Sequence, residues 1–199
     1  MDSLSFADLT IFFHEILSPD LIDVSYDFSQ PVLTVYAGSN ARVLTLLKDH
    51  KKCRFRQLVD ITAVDYPERP QRFEVVYNLL SHKMNMRIRV KLKIDHKSSI
   101  GSITGVFGAA SWYEREIWDL FGIPFSDHPD LRRILTDYDF KGHPLRKDFP
   151  LSGFTQVTYD PKQQRVINEP VKLDQNYRSF DFLSPWEGML QKTDAEKTS

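Results

Sequence analysis

The chain is predicted to be α+β, with a mostly antiparallel sheet packed by helices and a long extended C-terminal arm. Three observations predict it. Short runs alternate apolar and polar residues before residue 95, and apolar residues recur at helical spacing in three places. Seven of the eleven prolines (124, 129, 144, 150, 161, 170 and 185) fall after Gly122, where helical periodicity is lost.

The elements follow in order. Phe6, Leu9, Phe13, Ile16 and Leu17 outline a first helix, with Ser5 and Asp8 as a cap and Pro19 as its stop. Ile22, Val24, Tyr26 and Phe28 alternate with polar residues and lead into a second strand, Val32 to Ala37, which reads as a hairpin. Asn40 is placed to cap a helix carrying Val43, Leu44 and Leu47 that ends in the basic stretch Lys48, Lys51 and Lys52. Strands of about Gln57–Asp65, Arg72–Leu80 and Met86–Ile94 then form a meander, for which antiparallel pairing is the economical outcome. A last helix is expected from Trp112 to Phe121: Ser111 and Glu114 read as a capping box, Gly122 suits the left-handed position and Pro124 forbids continuation.

This divides the chain into an α+β domain over residues 1–122, an extended partner-binding arm with a short hairpin over 123–190, and a frayed tail over 191–199. The hairpin is Thr155–Tyr159 against Arg165–Asn168. The arm is not low-complexity, because Phe154, Tyr177, Phe180, Phe182 and Trp186 need a surface to cover them, and a disordered linker would be poor in such residues.

Composition narrows the function. With 26 basic against 27 acidic residues, no bulk electrostatic partner is implied. Cys53 is the single cysteine, so the chain forms no internal disulfide and lacks the thiolates of an iron–sulfur or Cys-type zinc site. No apolar run reaches the roughly 18–20 residues of a transmembrane helix. The first residues carry Asp2, Asp8 and Glu15 but no Arg, against a signal or transit peptide. A soluble or peripheral protein of a reducing compartment is expected.

Candidate chemistry is sparse. Glu114, Glu116 and Asp119 share one helix, but the first two suit the dipole of its opening turns. Asp119 stands near the helix C-terminus, where an anion is disfavoured, with Arg115 four residues before it in the weaker orientation. A residue so misplaced is expected to serve a partner. His128 and His143 each precede proline, consistent with turns, and no third metal ligand has a recognisable spacing. No phosphate-binding glycine loop or nucleophile elbow occurs. The basic residues Arg87, Arg89, Lys91 and Lys93 alternate along one strand, yet without the stacking aromatics of an RNA-binding platform.

The run from Glu114 through Trp118-Asp119-Leu120-Phe121-Gly122, then His128-Pro129-Asp130-Leu131-Arg132-Arg133 and His143-Pro144-Leu145-Arg146-Lys147-Asp148-Phe149-Pro150, resembles the signature of the 30 kDa (C-type) subunit family of respiratory complex I. Val64-Asp65-Tyr66-Pro67 and Arg72-Phe73-Glu74-Val75-Val76-Tyr77 are also similar. The likeness runs from about Phe55 to Trp186.

The resemblance implies a non-catalytic subunit of the peripheral arm of a proton-translocating NADH:quinone oxidoreductase. It would pack on the forty-nine-kilodalton (D-type) subunit near the quinone module and reach the inner membrane, on its matrix or cytoplasmic side, only through partners. NADH, FMN, iron–sulfur clusters and quinone would be held by other subunits. Glu114, Arg115, Asp119, His128, Arg132, Arg133, His143, Arg146 and Asp148, with Phe154, Tyr177, Phe180, Phe182 and Trp186, are then the residues expected to shape the arm and its interfaces. A subunit of a membrane-bound hydrogenase, or a nucleic-acid-binding domain using the basic strand, are the competing readings.

Overall fold

The computed structural model describes residues 6–28, 30–173, 175 and 178. By contact the chain divides into two compact units, one ending at Gly153 and one beginning at Phe154, rather than after Gly122.

In the first unit, α1 (Phe6–Leu17) occupies the expected residues; Ser5, its expected cap, lies outside the described ones. β1 (Leu21–Asp27) and β2 (Gln30–Val35) form the hairpin, and α2 (Asn40–Asp49) follows a single 3-10 turn. Asn40 does not cap α2. Ser39 precedes the helix without a side-chain cap, and the buried Asn40 amide donates to the Gly101 carbonyl at 2.6 Å. A capping oxygen and an internal hydrogen bond ask the same residue for different directions, and the distant carbonyl wins.

β3 (Gln57–Asp65), β4 (Phe73–Ser81) and β5 (Met86–Ile94) complete one five-stranded sheet of order β1-β2-β5-β4-β3. Three pairings are antiparallel, but β2 runs parallel to β5, Val32 beside Arg89 through Val35 beside Leu92. The sheet is therefore mixed. The reason is topological: β3 starts at the far edge after the α2 crossover, and two reversals bring β5 back parallel to both β3 and β2.

Leu9, Phe13 and Leu17 of α1 and Val43, Leu44 and Leu47 of α2 share one core with Leu33, Val75, Tyr77, Leu79, Val90 and Leu92 of the sheet. Each large side chain so buried contributes roughly 1.5–3 kcal/mol before conformational entropy is subtracted. On the opposite face the basic stripe of β5 is partly neutralised: Lys91 pairs with Glu74 at 2.9 Å and Arg89 with Asp27 at 3.1 Å.

α3 (Ala110–Phe121) ends as expected at Gly122, whose φ of +73° is left-handed. It begins earlier than expected, without a side-chain cap, and its stripe Ala110, Glu114, Ile117 and Phe121 faces inward. Short β6 (Ile100–Gly101) and β7 (Phe125–Ser126) pair in parallel beside it. In the second unit, β8 (Thr155–Asp160) and β9 (Arg165–Pro170) form the expected hairpin, with Val157, Tyr159 and Val166 all exposed. Tyr177, Phe180, Phe182, Trp186 and residues 191–199 lie outside the described residues.

Candidate functional site

From His128 to Phe149 the chain has almost no regular structure, yet hydrogen bonds tie two stretches of it, around 132–136 and 143–146, to α3. Arg115 and Asp119, one turn apart on the helix, grip the same stretch of backbone with opposite polarity. The Arg115 guanidinium donates to the carbonyls of Arg132 and Arg133 at 3.2 and 3.0 Å. The Asp119 carboxylate accepts the amides of Ile134, Leu135 and Thr136 at 3.1, 2.8 and 2.9 Å, the Thr136 hydroxyl, and Arg133 Nη1 at 2.7 Å. Burial alone would raise the Asp119 carboxyl, but the hydrogen bonds from Thr136, Leu135 and Arg133 outweigh it and hold the group well below the usual carboxylate range.

Asp119 is fully buried, so the expectation that it reaches a partner is corrected. Its awkward position on the helix is answered within the chain, by backbone amides 15 to 17 residues further on.

The segment returns the favour at the helix end. An α-helix leaves its last carbonyls without intrahelical donors. Here His143 Nδ1 donates to the Asp119 carbonyl at 2.9 Å, the Leu145 amide to Leu120 at 3.0 Å, and Arg146 Nε to Phe121. His143 and Arg146 pass so close to Gly122 that a Cβ there would sit 2.5 Å from the imidazole. Residue 122 must be glycine for its space as well as for its φ. Burial lowers the His143 pKa, which favours the neutral ring in this role.

A second anchor comes from the sheet. The buried Asp65 carboxylate accepts Nε and Nη2 of Arg72, at 2.6 and 2.7 Å, and the Lys147 amide at 2.8 Å; Arg72 also meets Asp148 at 3.0 Å. The Arg72 hydrogen bond is the main cause holding the Asp65 carboxyl below its ordinary value.

Glu114 is not a capping residue. Its buried carboxylate accepts Ser102 Oγ at 2.6 Å and the Ile103 amide at 2.7 Å, tying α3 to the loop after β6. His128 Nε2 lies 3.9 Å away and 3.1 Å from the Ser111 carbonyl, while its Nδ1 accepts the Asp130 amide at 3.0 Å. A carbonyl oxygen only accepts, so Nε2 is the donor to Ser111. Burial raises the Glu114 pKa above the ordinary carboxylate value, and the hydrogen bonds from Ser102 and Ile103 and the neighbouring His128 offset it only in part.

A raised acid pKa means that the ionised form is destabilised by folding, so stability falls as pH rises from the ordinary glutamate range, about 4.3, through the folded value. Glu114→Gln keeps an acceptor for Ile103 and removes that dependence. It is expected to match the parent below about pH 4 and to melt a few degrees higher at pH 8. Thermal melts across that range check it, and a lower melting temperature at every pH would show that the ionised carboxylate is required.

Glu114, Arg115, Asp119, His128, Arg133, His143 and Arg146 are thus brought together as internal fasteners. Arg132 (55% exposed, paired with Asp130), Asp148 (61%) and Phe154 (64%) face outward. What the fasteners present was missed by sequence reasoning: Trp112, 71% exposed, and Leu135, 62% exposed, flank a recess of about 720 Å³ with Ile134 and Tyr113. The signal was available, since Trp112 falls off the inward stripe at 110, 114, 117 and 121. Among the described residues no three His, Cys, Asp or Glu side chains converge as a metal ion requires, and no helix is long and apolar enough to cross a membrane.

The chain is similar to known proteins over most of its length. Residues 33–155 match the family described as respiratory-chain NADH dehydrogenase, 30 Kd subunit. The chain is 62% identical over 156 residues to the C subunit of the NADH-quinone oxidoreductase of Paramagnetospirillum magneticum, covering 78% of each protein. It is 50% identical over 184 residues to the C subunit of the Mesorhizobium japonicum enzyme, covering 92% of each. Among solved structures, a chain of the membrane-bound sulfane sulfur reductase, an archaeal respiratory membrane complex, superposes with a TM-score of 0.60 at 26% identity over 71% of this chain and 85% of that one. The chain belongs to the 30 kDa subunit family of the respiratory-chain NADH dehydrogenase.

Proposed function

We propose that the chain is a non-catalytic structural and assembly subunit in the peripheral arm of a proton-translocating NADH:quinone oxidoreductase, packing on the D-type subunit near the quinone module. The observation that carries this reading is the pinned segment itself. Arg115, Asp119, His143 and Arg146 fasten irregular backbone to α3, and Leu135 of that segment stands exposed across a recess from Trp112 of the helix. Large apolar anchors on a pre-ordered surface favour association, because little entropy remains to be lost on binding. On this reading NADH, FMN, iron–sulfur clusters and quinone reside on other subunits, and the chain meets the inner membrane only through its partners. The identity to NADH-quinone oxidoreductase subunits, far above the 26% to the sulfane sulfur reductase chain, supports the NADH enzyme.

The test is affinity purification of the tagged full-length chain from its own membranes, with cross-linking and mass spectrometry. The expected result is that a D-type partner co-purifies and is cross-linked near residues 132–147. A Trp112→Ala, Leu135→Glu double variant is expected to fold but to recover at least ten times less of that partner. Recovery of the chain alone, or an unaffected double variant, would overturn the proposal.

A further inference from the structure

A second recess lies away from the pinned segment, between α1, the turn that follows α2 and the β4–β5 turn. It is open to solvent, encloses about 600 Å³, and is floored by Phe12, Phe13, Phe55, Met84 and Met86. Ile11 of α1 stands at its rim and is 59% exposed, although α1 has Leu9, Phe13 and Leu17 to anchor it in the core. An apolar residue that contributes nothing to its own core, beside an apolar floor containing two conformationally adaptable methionines, marks a contact surface.

The two lips differ in charge. Lys51, Lys52 and Lys83 line one side, and Asp8 and Glu15, two turns apart on α1, line the other. Lys52 Nζ lies 5.6 Å above the Phe12 ring, at the boundary between charged lip and apolar floor. Among the described residues, the ammonium groups of Lys51 and Lys83 meet no carboxylate within 4.0 Å. The groove thus combines hydrophobic depth with one strongly basic edge. Cys53, at its base, adds no reactivity, since burial pushes its thiol up to about 12.

We propose that this groove docks an amphipathic helix of another polypeptide, with its apolar stripe on the Phe12–Met86 floor and carboxylates along the stripe's margin against Lys51, Lys52 and Lys83. Helix-in-groove docking needs apolar residues at i, i+3, i+4 and i+7 over an adaptable floor, and the oppositely charged lips fix which way round the helix lies. The inference rests on the reading that the chain works inside an assembly, but not on the identity of the D-type partner.

Two experiments decide it. In the first, the full-length tagged chain carries the photo-cross-linker benzoylphenylalanine in place of Ile11 and is irradiated in its native membranes. The adduct is expected on a segment of another polypeptide with helical apolar spacing and flanking Asp or Glu, and Lys51→Glu with Lys83→Glu should cut its yield about tenfold. An adduct on residues 1–5 of the same chain, on lipid, or on a segment without acidic residues would overturn the proposal. Co-purification of other oxidoreductase subunits in the same sample separates the cases: subunits present without an Ile11 adduct refutes the groove alone.

The second uses the purified full-length chain and two synthetic 14-residue amphipathic helices with the same leucine stripe, one flanked by Glu and one by Lys. The Glu-flanked peptide is expected to bind at least ten times tighter by fluorescence anisotropy, and Ile11→Asp should weaken its binding at least tenfold. Equal binding of both peptides, or no loss in Ile11→Asp, would refute the groove even if no assembly is recovered.

Discussion

Asp119→Ala is expected to destabilise the first unit by about 3–5 kcal/mol, because it strands three backbone amides and leaves the Arg133 guanidinium with only the Thr136 hydroxyl and the Gly142 carbonyl as acceptors among the described residues. Arg133 is only 14% exposed, and the amides of Ile134, Leu135 and Thr136 have no other acceptor on α3. In a unit of this size such a loss lowers the melting temperature by on the order of 10 °C. Hydrogen exchange should show residues 133–136 deprotected before the sheet. Asp119→Asn should lose most of the same stability, since its amide nitrogen would confront donors. The sign with pH follows from the depressed carboxyl: the contribution is complete above about pH 4 and is lost as pH falls through the folded value. A variant with unchanged melting but impaired co-purification would instead mean that Asp119 acts on a partner.

Removing everything after Gly153 is expected to leave a soluble first unit with near-parent circular dichroism and melting, while recovery of the assembled oxidoreductase falls below a tenth of normal. The contact boundary lies at Gly153, so the cut removes one unit whole. What is removed displays Phe154, Val157, Tyr159 and Val166 to solvent, all more than half exposed. Tyr177, Phe180, Phe182 and Trp186 add aromatic anchors worth roughly 1.5–3 kcal/mol each if covered by a partner. Native gels and quinone-dependent NADH oxidation in membranes measure the outcome. An active assembly built on the truncated chain would show that the second unit is dispensable, and failure to fold would assign its aromatics to the first unit's core.

Much of the fold was legible because its signals are local. The residues Gly122 and Pro124 ended α3 where they stand, and the alternation in Met86–Ile94 gave that strand both its ends. The parallel neighbour of β5 was invisible, because a period of two looks the same whichever way the adjacent strand runs. Glu114 was misread for a related reason. Ser111 and Glu114 have the spacing of a capping box, but the carboxylate is claimed by Ser102 and Ile103, on a loop whose approach no local pattern announces. Asp119 was visible as an anomaly on its helix, and only its resolution required three dimensions. The Asp65–Arg72–Lys147 anchor joins residues 82 positions apart and left no mark in the sequence beyond the residues themselves.

The parallel pairing of β2 with β5 also constrains the order in which the chain can be made safely. When the β1–β2 hairpin leaves the ribosome, β2 carries Val32, Leu33 and Val35, all destined for burial, along an edge that only β5 can close. Between them must come α2, β3 and β4. At about 5–20 residues per second, that edge stays open for several seconds of synthesis. During that interval the nascent chain presents an apolar strand with an unpaired backbone edge to every neighbouring polypeptide. Slow translation through β3 and β4, or loss of a holdase that shields emerging strands, should therefore send this protein into inclusion bodies through residues 30–35, however stable the finished domain is.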